Sequence, residues 1–122
     1  MGLDQNALGQ LRALDSDGSA RILVQIVNSY LVDAPALIQK MRAALAVDDI
    51  VSLTRNAHSL KSTSLSLGAI RVSEIAREME TAGRSKATGA CPALLMALSA
   101  EYAVAEQLLK AECAAVQKAS RL

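Results

Sequence analysis

The most restrictive feature of the chain is a seam of aliphatic and small side chains at Ile50, Leu53, Ala57, Leu60, Ser64 and Leu67. Its spacing alternates three and four residues, the repeat of a helix packed lengthwise against other helices. Similar seams recur at Val72, Ile75, Met79 and Ala82, and at Leu95, Leu98, Tyr102, Ala105 and Leu109. Two broader stripes precede them: Ile22, Leu23, Ile26, Val27, Tyr30 and Leu31, then Leu37, Ile38, Met41, Ala44 and Leu45. Short polar segments separate these stretches, so neighbouring helices run antiparallel. The expected fold is all-α: an antiparallel up-down four-helix bundle with a short additional N-terminal helix. A chain of 122 residues forms one such domain, residues 1–122, with its core at about 3–116 and a frayed C-terminal end.

Composition removes most other architectures and several functions. The chain is 52% hydrophobic yet 2% aromatic, with no Trp or Phe, which disfavours strands and barrels. Thirteen Lys and Arg against twelve Asp and Glu leave no basic excess for nucleic acid, and aromatic rings for base stacking are missing. One His and two distant Cys do not make a zinc ligand set, so no metal site is expected. Asp15-Ser16-Asp17-Gly18 lacks the later Glu of a calcium loop and reads as a turn. No basic-then-apolar leader opens the chain and no apolar run is expected to span a bilayer. With two cysteines read as reduced thiols, the expectation is a cytoplasmic monomer without direct membrane contact.

Local signals set the helix ends. Asp4 caps a first helix over residues 4–14, and Ser19 caps the second. Pro35 predicts a break near Val32–Ala34, with Asp33 as a new N-cap. Asp48 or Asp49 caps the helix that carries the main seam, and Gly68 supplies its left-handed end. Gly83 ends the next helix, and Pro92 opens the last. Glu74–Arg77 and Arg77–Glu80 read as exposed pairs one turn apart. Met41, Met79, Met96 and Cys113 read as core, and Cys91 stands where a helix start can lower a thiol pKa.

The single histidine, His58, is the chemical candidate. At ~100° per residue it lies roughly 130° from the seam centre at Leu53, on the solvent side. Thr54, Ser62 and Leu65 share its sector. Lys61, one turn along, can bring an ammonium to an anionic group on the ring, and Arg55 lies one turn back. An exposed neutral imidazole is a nucleophile toward phosphorus, and small neighbours give a partner access.

Ala57-His58-Ser59-Leu60-Lys61-Ser62, then Ser64, then Leu67-Gly68-Ala69, resembles the signature of histidine-containing phosphotransfer (HPt) domains. Met79-Glu80-Thr81-Ala82-Gly83-Arg84 and Tyr30-Leu31-Val32-Asp33-Ala34-Pro35 resemble two further segments of that family, and the likeness covers roughly residues 3 to 112. The resemblance implies a four-helix bundle whose histidine takes a phosphoryl group from the aspartyl-phosphate of a response-regulator receiver domain and passes it to a second receiver. By position, His58 is the phosphoacceptor, through Nε2, and Lys61 its basic partner. Thr54, Arg55, Ser62 and Leu65 belong to the docking face, in a small transient contact. Ser62 stands where the family usually has Gly. No cofactor is implied for this chain; Mg²⁺ belongs to the partner receiver, which in some systems is part of a hybrid sensor histidine kinase.

Three other readings compete, the third being a stand-alone enzyme, for which the chain offers no Ser/His/Asp set at a recognisable spacing and no phosphate-cradling Gly loop. A histidine-kinase dimerisation domain has an acidic residue directly after its His and a Pro soon after; here Ser59 follows and no Pro occurs before Pro92. With no Gly-rich nucleotide loop either, ATP-dependent kinase activity is not expected. The second is a non-catalytic helical interaction module, or a degenerate HPt domain that binds receivers without phosphotransfer.

Overall fold

Five helices account for most of the chain in the computed structural model, which describes residues 2–120. They are α1 (Gln5–Arg12), α2 (Arg21–Ala46), α3 (Ile50–Ser66), α4 (Ile70–Arg84) and α5 (Cys91–Ser120), with a single 3₁₀ turn at Thr88–Ala90. Helix α2 packs on α3 and α5, and α4 packs on α3 and α5, closing a four-membered ring. Three-residue connections at 47–49 and 67–69 reverse the chain between consecutive members. This is the expected up-down bundle. Helix α1 lies across α2 and α3 as an additional element. The end expected to fray beyond about residue 116 is helical through Ser120, since α5 continues that far; Arg121 and Leu122 lie outside the described residues.

The seams become the core. Leu53, Ala57, Leu60 and Leu67 are buried, as are Leu23, Val27, Ile38 and Met41 of α2, Val72, Ile75 and Met79 of α4, and Leu98 and Leu109 of α5. Ser64, the polar member of the α3 seam, is fully buried and shares a 2.7 Å hydrogen bond with the Tyr30 hydroxyl. Burial raises the Tyr30 pKa to about 12, so the phenol stays protonated and the pair stays neutral. The Tyr30 and Tyr102 rings meet with centroids 5.9 Å apart.

Several local expectations are corrected. Helix α2 runs unbroken through Pro35, and Asp33 is an exposed mid-helix residue rather than a cap. Tyr30 and Ala34 before the proline and Ile38 and Met41 after it face the same core, and that shared burial outweighs one lost backbone hydrogen bond. Ser19 does not cap α2. Ala20 takes a left-handed φ of 55° at the cap position, and the Asp15 carboxylate accepts from the Ile22 N–H at 2.7 Å instead. Helix α1 stops at Arg12, leaving Leu14 exposed. Met96 projects into solvent from α5 because it falls between the buried turns of Leu95 and Leu98. Burial pushes the Cys91 thiol pKa up, against the helix-start expectation. By length and composition α2 and the stretch Thr88–Ala119 are apolar enough to cross a bilayer, contrary to expectation. Exposed alanines such as Ala36, Ala43, Ala97 and Ala103 raise their average, while the leucines turn inward.

Capping otherwise follows the sequence. Asp4 accepts from the Asn6 N–H at 3.0 Å, and Asp49 from the Ser52 N–H at 3.1 Å. Gly68 ends α3 at a φ of +76° and its carbonyl accepts from the Asp4 N–H at 2.9 Å, so the α3–α4 corner also seats α1. A Cβ at residue 68 would lie 2.7 Å from the Asp4 carbonyl oxygen and 2.8 Å from its nitrogen. Gly68→Ala therefore combines left-handed strain with a backbone collision and is expected to cost about 2–4 kcal/mol in urea denaturation. A loss below about 0.5 kcal/mol, the range of a neutral surface change, would contradict this role.

Candidate functional site

Helices α3 and α4 lie side by side from the Gly68 corner onward, and two contacts set their register. The Ser73 hydroxyl donates to the Lys61 carbonyl at 3.0 Å. Further along, Gly83 meets Thr54 so closely that any Cβ there would collide with the Thr54 hydroxyl, which itself donates to the Ile50 carbonyl at 2.8 Å. Gly83 is thus a helix-contact residue rather than a terminator, and α4 continues to Arg84. Between these contacts the carboxyl group of Glu80 is delivered to the α3 surface beneath His58.

Glu80 is the centre of the site. Its side chain is only 4% exposed, and three groups converge on it. His58 Nδ1 lies 2.7 Å from Oε2, Arg84 donates to the same oxygen at 2.7 Å, and the Lys61 ammonium donates to Oε1 at 2.6 Å. A carboxylate only accepts, so Nδ1 of the neutral ring carries the proton and Nε2 keeps its lone pair. The His58 side chain is 55% exposed, as its helical angle required. Lys61 is 26% exposed and Arg84 66%. The hydrogen bond from Lys61, then that from His58 and the charge of Arg84, hold the Glu80 pKa below its ordinary value against the opposing effect of burial.

The other expected site residues divide by exposure. Arg55 and Ser62 are exposed, and Leu65 is an exposed apolar side chain on the same helix. Thr54 is half-buried against Gly83 and belongs first to the helix contact. Thr63 and Ser66 turn their hydroxyls back onto α3 carbonyls. Glu80 is the residue that sequence reasoning missed. It reads as an exposed partner of Arg77, yet it is buried, while Glu74 pairs with Arg71 at 3.1 Å. The signal was present: Ser73, Ala76, Glu80 and Gly83 follow one another at helical spacing on a buried face. A carboxylate inside such a stripe requires cations from the neighbouring helix.

Comparison with known proteins gives the family and the fold. A family model described as Hpt domain matches residues 25–119, and the chain belongs to that family, the helical phosphotransfer modules of two-component relays. Among solved structures it is similar to histidine-containing phosphotransfer protein B (HptB) from Pseudomonas aeruginosa PAO1. The two share 27% sequence identity with a TM-score of 0.83, over 91% of this chain and 93% of that one. No curated protein sequence matches the chain.

A carboxyl pKa lowered by folding stabilises the fold above the unfolded value, and that contribution is lost as the pH falls through the folded value. The stability difference between wild type and Glu80→Gln should therefore shrink as the pH falls from about 5 through and below the ordinary Glu value of 4.5. Urea denaturation across that range measures it. A difference that does not change with pH would show that Glu80 is not held ionised by its three partners.

Proposed function

We propose that His58 is the phosphoacceptor of a phosphorelay, taking a phosphoryl group from the aspartyl-phosphate of a receiver domain and delivering it to another. The observation that carries this reading is the 2.7 Å contact between His58 Nδ1 and the buried Glu80 carboxylate. It orients the ring and selects the tautomer whose free lone pair, on Nε2, lies on the outward side.

In the transfer, the Nε2 lone pair forms a bond to phosphorus while the bond from phosphorus to the aspartyl oxygen breaks, and the Asp leaves as a carboxylate. Nε2 has no proton to lose. The ring gains positive charge and Nδ1 keeps its proton on Glu80, whose negative charge stabilises the product ring as a carboxylate stabilises an imidazolium in hydrolase triads. Lys61 supplies positive charge beside the new phosphoryl oxygens. Phosphoryl transfer depends chiefly on positioning and charge, and here the domain brings both on rigid helices. Mg²⁺ is contributed by the receiver. Arg55, Ser62 and Leu65, with the rim of Thr54, form the docking face around the ring. The acyl phosphate and the phosphoramidate are both high-energy species, so transfer runs in either direction according to the partners present.

Incubation with a phosphorylated receiver should transfer an acid-labile label to the wild-type domain and none to His58→Gln. Label retained by His58→Gln, or a wild type that stays unlabelled across a panel of phosphorylated receivers, would overturn the assignment. The second outcome would leave a receiver-binding module without phosphotransfer.

A further inference from the structure

On the flank of α3 away from Glu80, a cavity of about 440 Å³ opens between α1, α2 and α3. Leu11, Ile26, Leu67 and the Tyr30 ring give it an apolar floor. Asp33 is the one charged residue among those that line it, and it is exposed. It makes no hydrogen bond or ion pair among the described residues, and the positions one turn away on α2, Ser29, Tyr30, Ala36 and Leu37, bring no cation. On the α3 side, Thr63 and Ser66 commit their hydroxyl hydrogens to the carbonyls of Ser59 and Ser62, each at 3.1 Å, which leaves their oxygens with lone pairs to offer. The rim is thus a carboxylate with hydroxyl acceptors over an aliphatic floor. Its complement is a cation on an aliphatic stem, the form of a Lys or Arg side chain.

We propose that this cavity receives a basic side chain, Lys or Arg, of the receiver domain that docks over His58, with Asp33 as its counter-charge. The inference rests on the phosphoacceptor reading above and extends the docking face across α3 onto α1 and α2. Helix register brings the two places together. The Tyr30–Ser64 hydrogen bond sets those residues level on the antiparallel α2 and α3. Three residues further along α2 and three back along α3, Asp33 stands level with Lys61, ~4.5 Å along the axis from the position of His58. A contact of about 600 Å² per partner, the low end for transient complexes, spans that separation. The ring needs nothing from the cavity in order to react. The charge pair instead speeds encounter and selects among receivers, since an acidic or apolar group at the same place would leave Asp33 unpaired under the partner.

A phosphorylated receiver that labels the wild type tests this. Asp33→Asn should raise the KM for that receiver about threefold and Asp33→Lys about tenfold, with kcat unchanged, as a partly exposed charge pair is first lost and then reversed. The Asp33→Asn effect should shrink in about 0.5 M salt, where screening is short-ranged. A single Lys→Glu or Arg→Glu substitution in the receiver should restore transfer to Asp33→Lys. Phosphoramidate, from which Nε2 displaces ammonia at phosphorus, should label wild type and both variants at one rate, because that donor is too small to use the cavity. Independently, the Leu11 and Ile26 methyl resonances of the wild type should shift when the receiver is added, a readout that depends on no variant. An unchanged KM in both variants, an Asp33→Lys protein that no such receiver substitution rescues, or cavity methyls unmoved by a receiver that shifts Leu65, overturns the proposal while leaving His58 as acceptor. A wild type that takes phosphate neither from phosphoramidate nor from receivers removes the phosphoacceptor reading, and the proposal with it.

Discussion

A single buried carboxylate organises this molecule's chemistry. Glu80 sits inside the α3–α4 contact with almost no access to water, where an unpaired charge would be costly. Three donors from two helices satisfy it: the His58 ring, the Lys61 ammonium and the Arg84 guanidinium. Each contact has a structural reading, since together they neutralise the charge. Each also has a chemical one. The contact to Nδ1 fixes the ring and its tautomer, and the two cations share the same carboxylate with it.

The bundle serves that carboxylate. Glu80 reaches the underside of His58 because α4 is held close along α3, by Ser73 on the Lys61 carbonyl and by the missing side chain of Gly83 against Thr54. The Gly68 corner starts the two helices in register and seats α1 on the same turn. On the far side of α3, Ser64 and Tyr30 form a neutral buried pair that ties α3 to α2. His58 is therefore the exposed end of a rigid assembly, an arrangement that suits the proposed reaction, which depends chiefly on placement.

Much of this was legible in the sequence. Heptad spacing at 50–67 predicted α3, its burial pattern and the outward angle of His58, because one helix face is fixed by its own periodicity. Asp4, Asp49 and Gly68 marked ends correctly because capping is a local matter. What failed depended on other helices. Pro35 reads as a break from local sterics, and only the shared core of Tyr30, Ala34, Ile38 and Met41 carries α2 through it. Gly83 reads as a stop, and only the approach of Thr54 explains it as a contact. Glu80 reads as a surface charge because two of its three partners lie 19 and 22 residues back along the chain, a juxtaposition that exists only once α3 and α4 are paired.

The central claim is that Glu80 holds the Nδ1 proton of His58 and so makes Nε2 the nucleophile. Nitrogen-15 NMR of the imidazole tests this most directly, at a pH where the ring is neutral and again after phosphorylation. The account predicts that Nδ1 carries the proton in the free domain, that Nε2 bears the phosphorus afterwards, and that Glu80→Ala releases the tautomer preference. A neutral ring protonated at Nε2, or phosphorus bonded to Nδ1, would contradict it.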